Sequence, residues 1–167
     1  MSSIWKSFAG SVAGLALTAA LSASAGAQGV VSEKNVSLGL AQVIAQAALD
    51  QCKSMGFKVT AAVVDRGGQV IVILHGDGAG LTTNEGAERK AFTARAFGQP
   101  SADFVKRLAD RPDTIGSRHY SRVLALGGGL PIKVGNEVIG AVGVSGSPGK
   151  DADCSQAGID KVADQLK

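Results

Sequence analysis

The sequence predicts an α+β fold in which a largely antiparallel, five-stranded sheet is flanked by helices. Apolar residues recur at helical spacing in four segments, and five short apolar stretches lie between them. Most of these stretches are separated by tight turns. Because strands joined by such turns run antiparallel, the sheet should be largely antiparallel. The predicted order of elements is α-ββ-αα-βββ-α.

The first predicted elements are a helix and a hairpin. Apolar residues from about Val36 to Met55 have helical spacing, and Gly56 is a suitable C-cap. Val59 to Val64 is typical of a buried strand, and Val70 to Leu74 of its partner. The turn between them is Asp65-Arg66-Gly67-Gly68, so the two strands should form a β-hairpin.

Two further helices follow. Thr83 or Asn84 can cap a helix that runs to about Phe97, and its narrow stripe of small residues predicts close packing on a sheet. Pro100 ends this segment, and Ser101 caps a short helix that extends to about Ala109. The chain from 111 to 122 has the composition of a loop.

The C-terminal part predicts three strands and a last helix. The strands are placed at about 123–126, 132–134 and 138–144, with a Gly-Asn turn between the last two. Asp153 and Gln156 resemble a capping box for the last helix, which carries apolar residues as far as Leu166.

The N-terminus is typical of a secretory signal peptide. Lys6 is the only charged residue before Gln28, an Ala-rich apolar run follows it, and the segment closes with Ala25-Gly26-Ala27. This pattern predicts cleavage before Gln28, leaving residues 28–167 as a single domain. The alternative is an uncleaved membrane anchor, but the run is short and is diluted by polar residues. No later stretch is apolar and long enough to span a bilayer.

Charge and cysteine content limit the classes of function. The net charge is +3 and aromatic residues make up 4% of the chain, with no basic run that contains aromatics, so nucleic-acid binding is not indicated. Cys52 and Cys154 are the two cysteines. In an oxidising compartment they could form a disulfide, or they could remain two buried thiols, and the sequence leaves both possibilities open.

Three residues in predicted loops are candidate metal or haem ligands. His75 and His119 are the only histidines, and Tyr120 follows His119 directly. An imidazole nitrogen or a phenolate oxygen can bind ferric iron. The alternative is that the histidines are ordinary surface loop residues and that Tyr120 anchors its loop.

A second set of residues could bind a small anionic ligand. Lys90 lies in the middle of a predicted helix, with Thr93 one turn further on; its ammonium could contact a carboxylate or could be solvated. Asp65 and Asp77 lie at opposite ends of the first hairpin, where turn formation is the alternative role. The glycines at 127–129 could leave backbone N–H groups exposed beside a ligand.

Several segments resemble a known family. They are Ala61–Val70, Asp77-Gly78, Arg89–Gly98, Gly127–Ile132 and Gly140–Gly146. In this order they resemble the GlcG/HbpS-like haem-binding domain family, which includes the C-terminal domain of PduO-type corrinoid adenosyltransferases. The resemblance extends over about residues 35–166. It implies a profilin-like or sensor-like fold and assembly into homo-oligomers.

The resemblance also implies a function. Some exported members bind haem and act as accessory or sensing proteins, whereas other members belong to glycolate or diol utilisation operons and have no settled activity. No shared set of catalytic residues can be transferred. Exported relatives often have Pro-His-Thr where this chain has Leu81-Thr82-Thr83, so His75 in the same loop is the candidate replacement. The resemblance therefore favours an exported, non-enzymatic haem- or tetrapyrrole-binding protein. The alternative is an enzyme, or an enzyme accessory, acting on a small glycolate-like carboxylate near Lys90 and 127–129.

Overall fold

The computed structural model describes residues 29–167. Glu33–Lys167 form one compact unit. The predicted signal peptide lies outside the described residues. Within the described part, every helix is too short or too polar to cross a membrane.

Four α-helices and four strands make up this unit. In chain order the elements are α1 (Leu38–Ser54), β1 (Thr60–Asp65), β2 (Val70–His75), α2 (Thr83–Phe97), α3 (Ser101–Asp110), a 3₁₀ helix (Pro112–His119), β3 (Gly129–Val134), β4 (Glu137–Ser145), α4 (Asp151–Asp160) and a short 3₁₀ turn (Ala163–Gln165). The predicted α+β class is confirmed.

The sheet has the strand order β2-β1-β4-β3, and every neighbouring pair is antiparallel. In the register, Val63 of β1 lies opposite Val72 of β2 on one side and Val142 of β4 on the other. The two central strands are therefore β1 and β4, and both are almost entirely buried.

Helices cover both faces of the sheet because side chains of a strand alternate between its faces. Ala61 and Val63 pack in one core cluster with α1 and α4, whereas Val64 packs with Ala91 and Ala94 of α2. On the first face, a disulfide between Cys52 and Cys154 joins α1 to α4, with 5.5 Å between the Cα atoms. The structure thus decides the pairing that the sequence left open.

The prediction of five strands is wrong, because the segment at 123–126 is not a strand. Its backbone is held by side chains of α2. Arg89 Nη2 donates a hydrogen bond to the Val123 carbonyl, and the Leu124 N–H donates to Thr93 Oγ1. Val123 is buried against Phe104 and Leu108 of α3, so its apolar character reflects helix packing.

The three predicted N-caps are also wrong. The N-cap of α3 is Pro100, and Ser101 is the first residue of that helix, with its Oγ accepting a hydrogen bond from the Gly129 N–H. The N-cap position of α2 is Thr82, with no side-chain cap hydrogen bond, and Thr83 Oγ1 donates to the Gly80 carbonyl. Helix α4 begins at Asp151, before the proposed Asp153–Gln156 box. The carboxylate of Asp151 accepts hydrogen bonds from the Ser147 N–H and Oγ, which fixes the chain just before the helix.

Helix α2 lies unusually close to the sheet. A Cβ atom on Gly129 would lie 2.0 Å from the Lys90 carbonyl oxygen, and one on Gly143 would lie 2.3 Å from the Ala87 carbonyl oxygen. Only glycine fits such contacts between backbones. The predicted close packing of the small-residue helix is therefore confirmed, and it brings Lys90 against β3 and β4.

Candidate functional site

His75 is the last residue of β2, and its imidazole is held in a fixed orientation. Nδ1 lies 2.7 Å from Asn84 Oδ1 and 2.9 Å from Thr60 Oγ1. Because an amide oxygen only accepts hydrogen bonds, Nδ1 is the donor, and in the neutral imidazole the lone pair is then on Nε2. Within residues 29–167 the structure records no partner for Nε2. This nitrogen is therefore free to bind a metal ion, as in histidine ligands whose other nitrogen is hydrogen-bonded.

The orientation of His75 follows from the sheet register and from the start of α2. Thr60 lies directly opposite His75 in the antiparallel pair, and Asn84 lies in the first turn of α2. Thr60 Oγ1 also lies 2.8 Å from Thr83 Oγ1 and donates to Asn84 Oδ1. Four side chains on three elements thus form one polar network at the end of the hairpin.

His75 lines a cavity of about 510 Å³ between the C-terminal end of α1 and strand β2. We call this the His75 cavity. Its apolar lining residues are Leu49, Phe57, Val59, Ile73 and Leu74, and its charged ones are Lys53, Lys58 and Asp77. Lys53 and Lys58 are both exposed and form no ion pair within the described residues. An apolar cavity with one free imidazole nitrogen and two ammonium groups suits a flat, apolar metal complex that carries anionic groups.

Lys90 lines a different cavity, of about 640 Å³, which we call the Lys90 cavity. Its ammonium lies 2.6 Å from Asp151 Oδ2 and donates to the Val144 carbonyl at 3.2 Å. The side chains of Lys90 and Asp151 are only 5% and 11% exposed, so this ion pair is almost entirely buried. Gly127 and Gly128 line the same cavity.

The structure decides against the solvated alternative for Lys90. Lys90 is not solvated, and the anion that it contacts is Asp151 of the same chain, 61 residues away. Asp151 in turn binds Ser147, whose Oγ lies 3.0 Å from Cys52 Sγ. A continuous buried chain of polar contacts therefore runs from the disulfide to the Lys90 cavity.

The other predicted ligand-binding residues lie apart. Asp65 Oδ1 accepts a hydrogen bond from the Gln69 N–H in the hairpin turn, at the far end of the hairpin from Asp77. Thr93 is buried, and its hydroxyl donates to the Arg89 and Leu124 carbonyls. Gly129 is buried in β3 and its N–H donates to Ser101 Oγ. The structure thus brings together His75 with Asp77, and Lys90 with Gly127 and Gly128.

His119 and Tyr120 lie at the end of the 3₁₀ helix, outside both cavities. Both side chains are exposed, Tyr120 by 64%. His119 Nε2 accepts a hydrogen bond from Arg118 Nε at 3.1 Å, so its free lone pair is already used. All three candidate iron ligands are exposed, and His75 is the one that lines a described cavity and has, among the described residues, no recorded partner on its second ring nitrogen.

Sequence reasoning missed Asp151, Lys53 and Lys58. The signal for Asp151 was local: it stands four residues after Ser147, in a Ser-Pro-Gly-Lys-Asp segment typical of a turn that leads into a helix. Lys53 and Lys58 flank the end of α1, but their position against β2 depends on how the helix packs. No pattern along the chain indicates that contact.

Comparison with known proteins agrees with this architecture. The family model of the haem-degrading protein HbpS-like family matches residues 36–160. A protein of Citrobacter freundii, described as an uncharacterised 15.0 kDa protein in the dhaT-dhaS intergenic region, is 31% identical over 113 residues, 66% of this chain and 80% of that protein.

Two solved structures have the same fold. The crystal structure of HbpS superposes with a TM-score of 0.74 and 36% identity, covering 79% of this chain and 93% of HbpS. The crystal structure of a PduOC:heme complex superposes with a TM-score of 0.68 and 25% identity, covering 75% of this chain and 94% of PduOC. The chain belongs to the family of HbpS-like haem-degrading proteins.

Proposed function

We propose that this protein binds haem in the His75 cavity, as an exported accessory or sensing protein and not as an enzyme. The observation that carries the proposal is the His75 imidazole, held through Nδ1 with Nε2 free at an apolar cavity. Family membership and the haem named in the PduOC complex support the same ligand.

The residues of the cavity fit the parts of haem. Haem would supply an iron ion that can bind an imidazole nitrogen. His75 Nε2 would provide that nitrogen, with Asn84 holding the ring through Nδ1. Leu49 and Phe57 would provide an apolar surface, and the ammonium groups of Lys53 and Lys58 would be partners for the propionates.

Substitution of the three candidate ligands tests the proposal. Haemin titrated into the purified protein should give a saturable shift of the Soret band. His75→Ala should change the position of that band and weaken binding, whereas His119→Ala and Tyr120→Ala should leave both unchanged. Circular dichroism serves as the check on folding. If all three variants bind haem like the wild type, His75 is not a ligand and the proposed site is wrong.

A second substitution tests the role of Asn84 without removing the imidazole. Asn84→Leu removes the acceptor of the His75 Nδ1–H, so haem affinity should fall by about 10- to 100-fold. Ser117→Leu has no contact with His75 and is the control for a new apolar side chain. Equal affinities of the two variants would contradict the role of Asn84.

The lysines can be tested against other exposed lysines. The double variant Lys53→Ala/Lys58→Ala should bind haem about two- to tenfold more weakly, since exposed ion pairs contribute modestly. Lys106→Ala/Lys133→Ala removes the same charge away from the His75 cavity and should bind like the wild type. If both double variants lose the same affinity, the effect comes from net charge and not from contact with the propionates.

Export, self-association and the absence of catalysis are further parts of this proposal. The Ala-rich N-terminus supports export, and the resemblance to the GlcG/HbpS-like family supports self-association. The family model is described as haem-degrading, so the absence of catalysis depends on the reductant experiment below. Intact mass of exported protein should show a start near Gln28, and light scattering should give a mass above that of a monomer. Addition of a reductant to the haem complex tests whether the protein degrades haem. A steady decay of the Soret band would contradict the proposed absence of catalysis.

A further inference from the structure

The Lys90 cavity is separate from the proposed haem site. The two cavities share no lining residue, and the Lys90 cavity is formed by the N-terminal ends of helices and by the glycine segments that precede β3 and α4. We propose that it is a second binding site, which takes a small organic monocarboxylate with an apolar body.

The ammonium of Lys90 leaves a hydrogen-bond donor unused. It carries three N–H groups, and within residues 29–167 its acceptors are Asp151 Oδ2 and the Val144 carbonyl. Lys90 lines the cavity and is otherwise almost completely buried, so the cavity is where a further acceptor can approach it. A carboxylate oxygen of a ligand can accept that hydrogen bond.

Asp151 does not exclude an anion from the cavity, because both of its oxygens already have partners. Oδ1 accepts from the Ser147 N–H at 2.9 Å and from Ser147 Oγ at 2.8 Å, and Oδ2 accepts from Lys90. The carboxylate is therefore compensated by groups on the protein. What remains uncompensated is the third N–H of Lys90.

Three helices add positive potential to the same cavity. Its lining includes Thr83 of α2, Ala102 of α3 and Ala152 of α4, each in the first turn of its helix. None of the three helices has a side-chain cap hydrogen bond at its N-terminus. The Thr83 N–H already donates to the Gly80 carbonyl, but the dipoles of the three helices favour an anion there. Together with the buried Lys90 ammonium they set the sign of the ligand charge.

The remaining lining determines the body of the ligand. Ala102, Leu126, Pro148 and Ala152 give the cavity an apolar wall, and Leu126 is 53% exposed. A ligand with one carboxylate and a compact apolar group matches this lining, because Lys90 is the single cationic side chain among the lining residues and leaves a second negative charge without a partner.

Benzoate is a suitable probe, and benzyl alcohol is its uncharged analogue. Benzoate titrated into the haem-free protein should shift the backbone amide signals of Gly127, Gly128 and Ala152 in heteronuclear NMR spectra. Benzyl alcohol should bind at least about tenfold more weakly because it lacks the carboxylate. Haem plays no part in this measurement, so its outcome is independent of the proposed haem site.

A cavity-filling variant locates the binding. Ala102→Leu places a larger side chain on the cavity wall without removing Lys90 or Asp151, and it should weaken benzoate binding by at least about tenfold. Ala96→Leu makes the same change at an exposed position of α2 outside the cavity, and it should bind like the wild type.

The proposal is overturned by any of three results. These are no amide shifts with benzoate up to about 10 mM, shifts confined to residues outside the Lys90 cavity, or equal binding by the Ala102→Leu and Ala96→Leu variants. Equal affinity for benzyl alcohol would show that the cavity takes apolar molecules without regard to charge, which also contradicts the proposal.

Discussion

Reduction of the Cys52–Cys154 disulfide should strongly destabilise the protein. The two cysteines are 102 residues apart, so the disulfide closes most of the folded unit into one loop. The loss of chain entropy on closing a loop of about 100 residues corresponds to about 4.7 kcal/mol at 25 °C. Measured effects of disulfides are commonly about 2–4 kcal/mol, against a total stability of about 5–15 kcal/mol for a domain. We therefore expect a loss of about 3–5 kcal/mol.

Urea unfolding of one protein preparation with and without reductant measures this difference. The oxidised and reduced proteins have the same side chains, so the difference in unfolding free energy comes from the cross-link. The slope of free energy against urea should also rise on reduction, because the unfolded chain then exposes more surface. Titration of thiols in the unfolded, unreduced protein should detect none.

The double variant Cys52→Ala/Cys154→Ala is the control. It should unfold at the same urea concentration with and without reductant, since it has no disulfide to reduce. Two results would refute the reasoning: a wild-type midpoint that does not move on reduction, or a control midpoint that moves as much as the wild-type midpoint.

Two further substitutions test the packing of α2. Gly129→Ala places a Cβ 2.0 Å from the Lys90 carbonyl oxygen, so β3 must move away from α2, and unfolding free energy should fall by about 1–3 kcal/mol or more. Gly39 lies in α1 with open space around it, so Gly39→Ala should leave the unfolding free energy unchanged or raise it. Thermal denaturation measures both variants, and an equal loss of stability in Gly129→Ala and Gly39→Ala would contradict the packing argument. Lys90→Met leaves the Asp151 carboxylate buried without its partner and should cost about 3–5 kcal/mol. The double variant Lys90→Met/Asp151→Asn should recover most of the stability lost in Lys90→Met, because the buried charge is then removed as well. If the double variant is less stable than Lys90→Met, an unpaired Asp151 carboxylate is not the cause of the loss.

The sequence placed the helices and the first hairpin because their signals are local. Pro100 and Gly56 mark boundaries within the chain, and helical spacing identifies α1 and α2 over many residues. The predicted strand at 123–126 shows the limit of such signals. A short apolar stretch fits a buried strand and a loop packed on a helix equally well, and Val123 is buried against α3.

Local and long-range signals also differ at the candidate sites. The sequence identified His75 and Lys90 as unusual positions, because the chemistry of a side chain is visible without a fold. It could not identify their partners, Asn84 and Asp151, since those contacts depend on how α2 packs on the sheet and on where α4 begins.

The sequence alone determined the class of fold, most of the element boundaries and the types of residue available for binding. Only the tertiary structure decided that Cys52 pairs with Cys154, that His75 keeps a free nitrogen at an apolar cavity, and that Lys90 is paired with Asp151. The physical reason is the separation along the sequence between the residues that interact. Helix periodicity and turns arise between residues a few positions apart, whereas a pairing across 102 or 61 residues exists only after the helices have packed on the sheet.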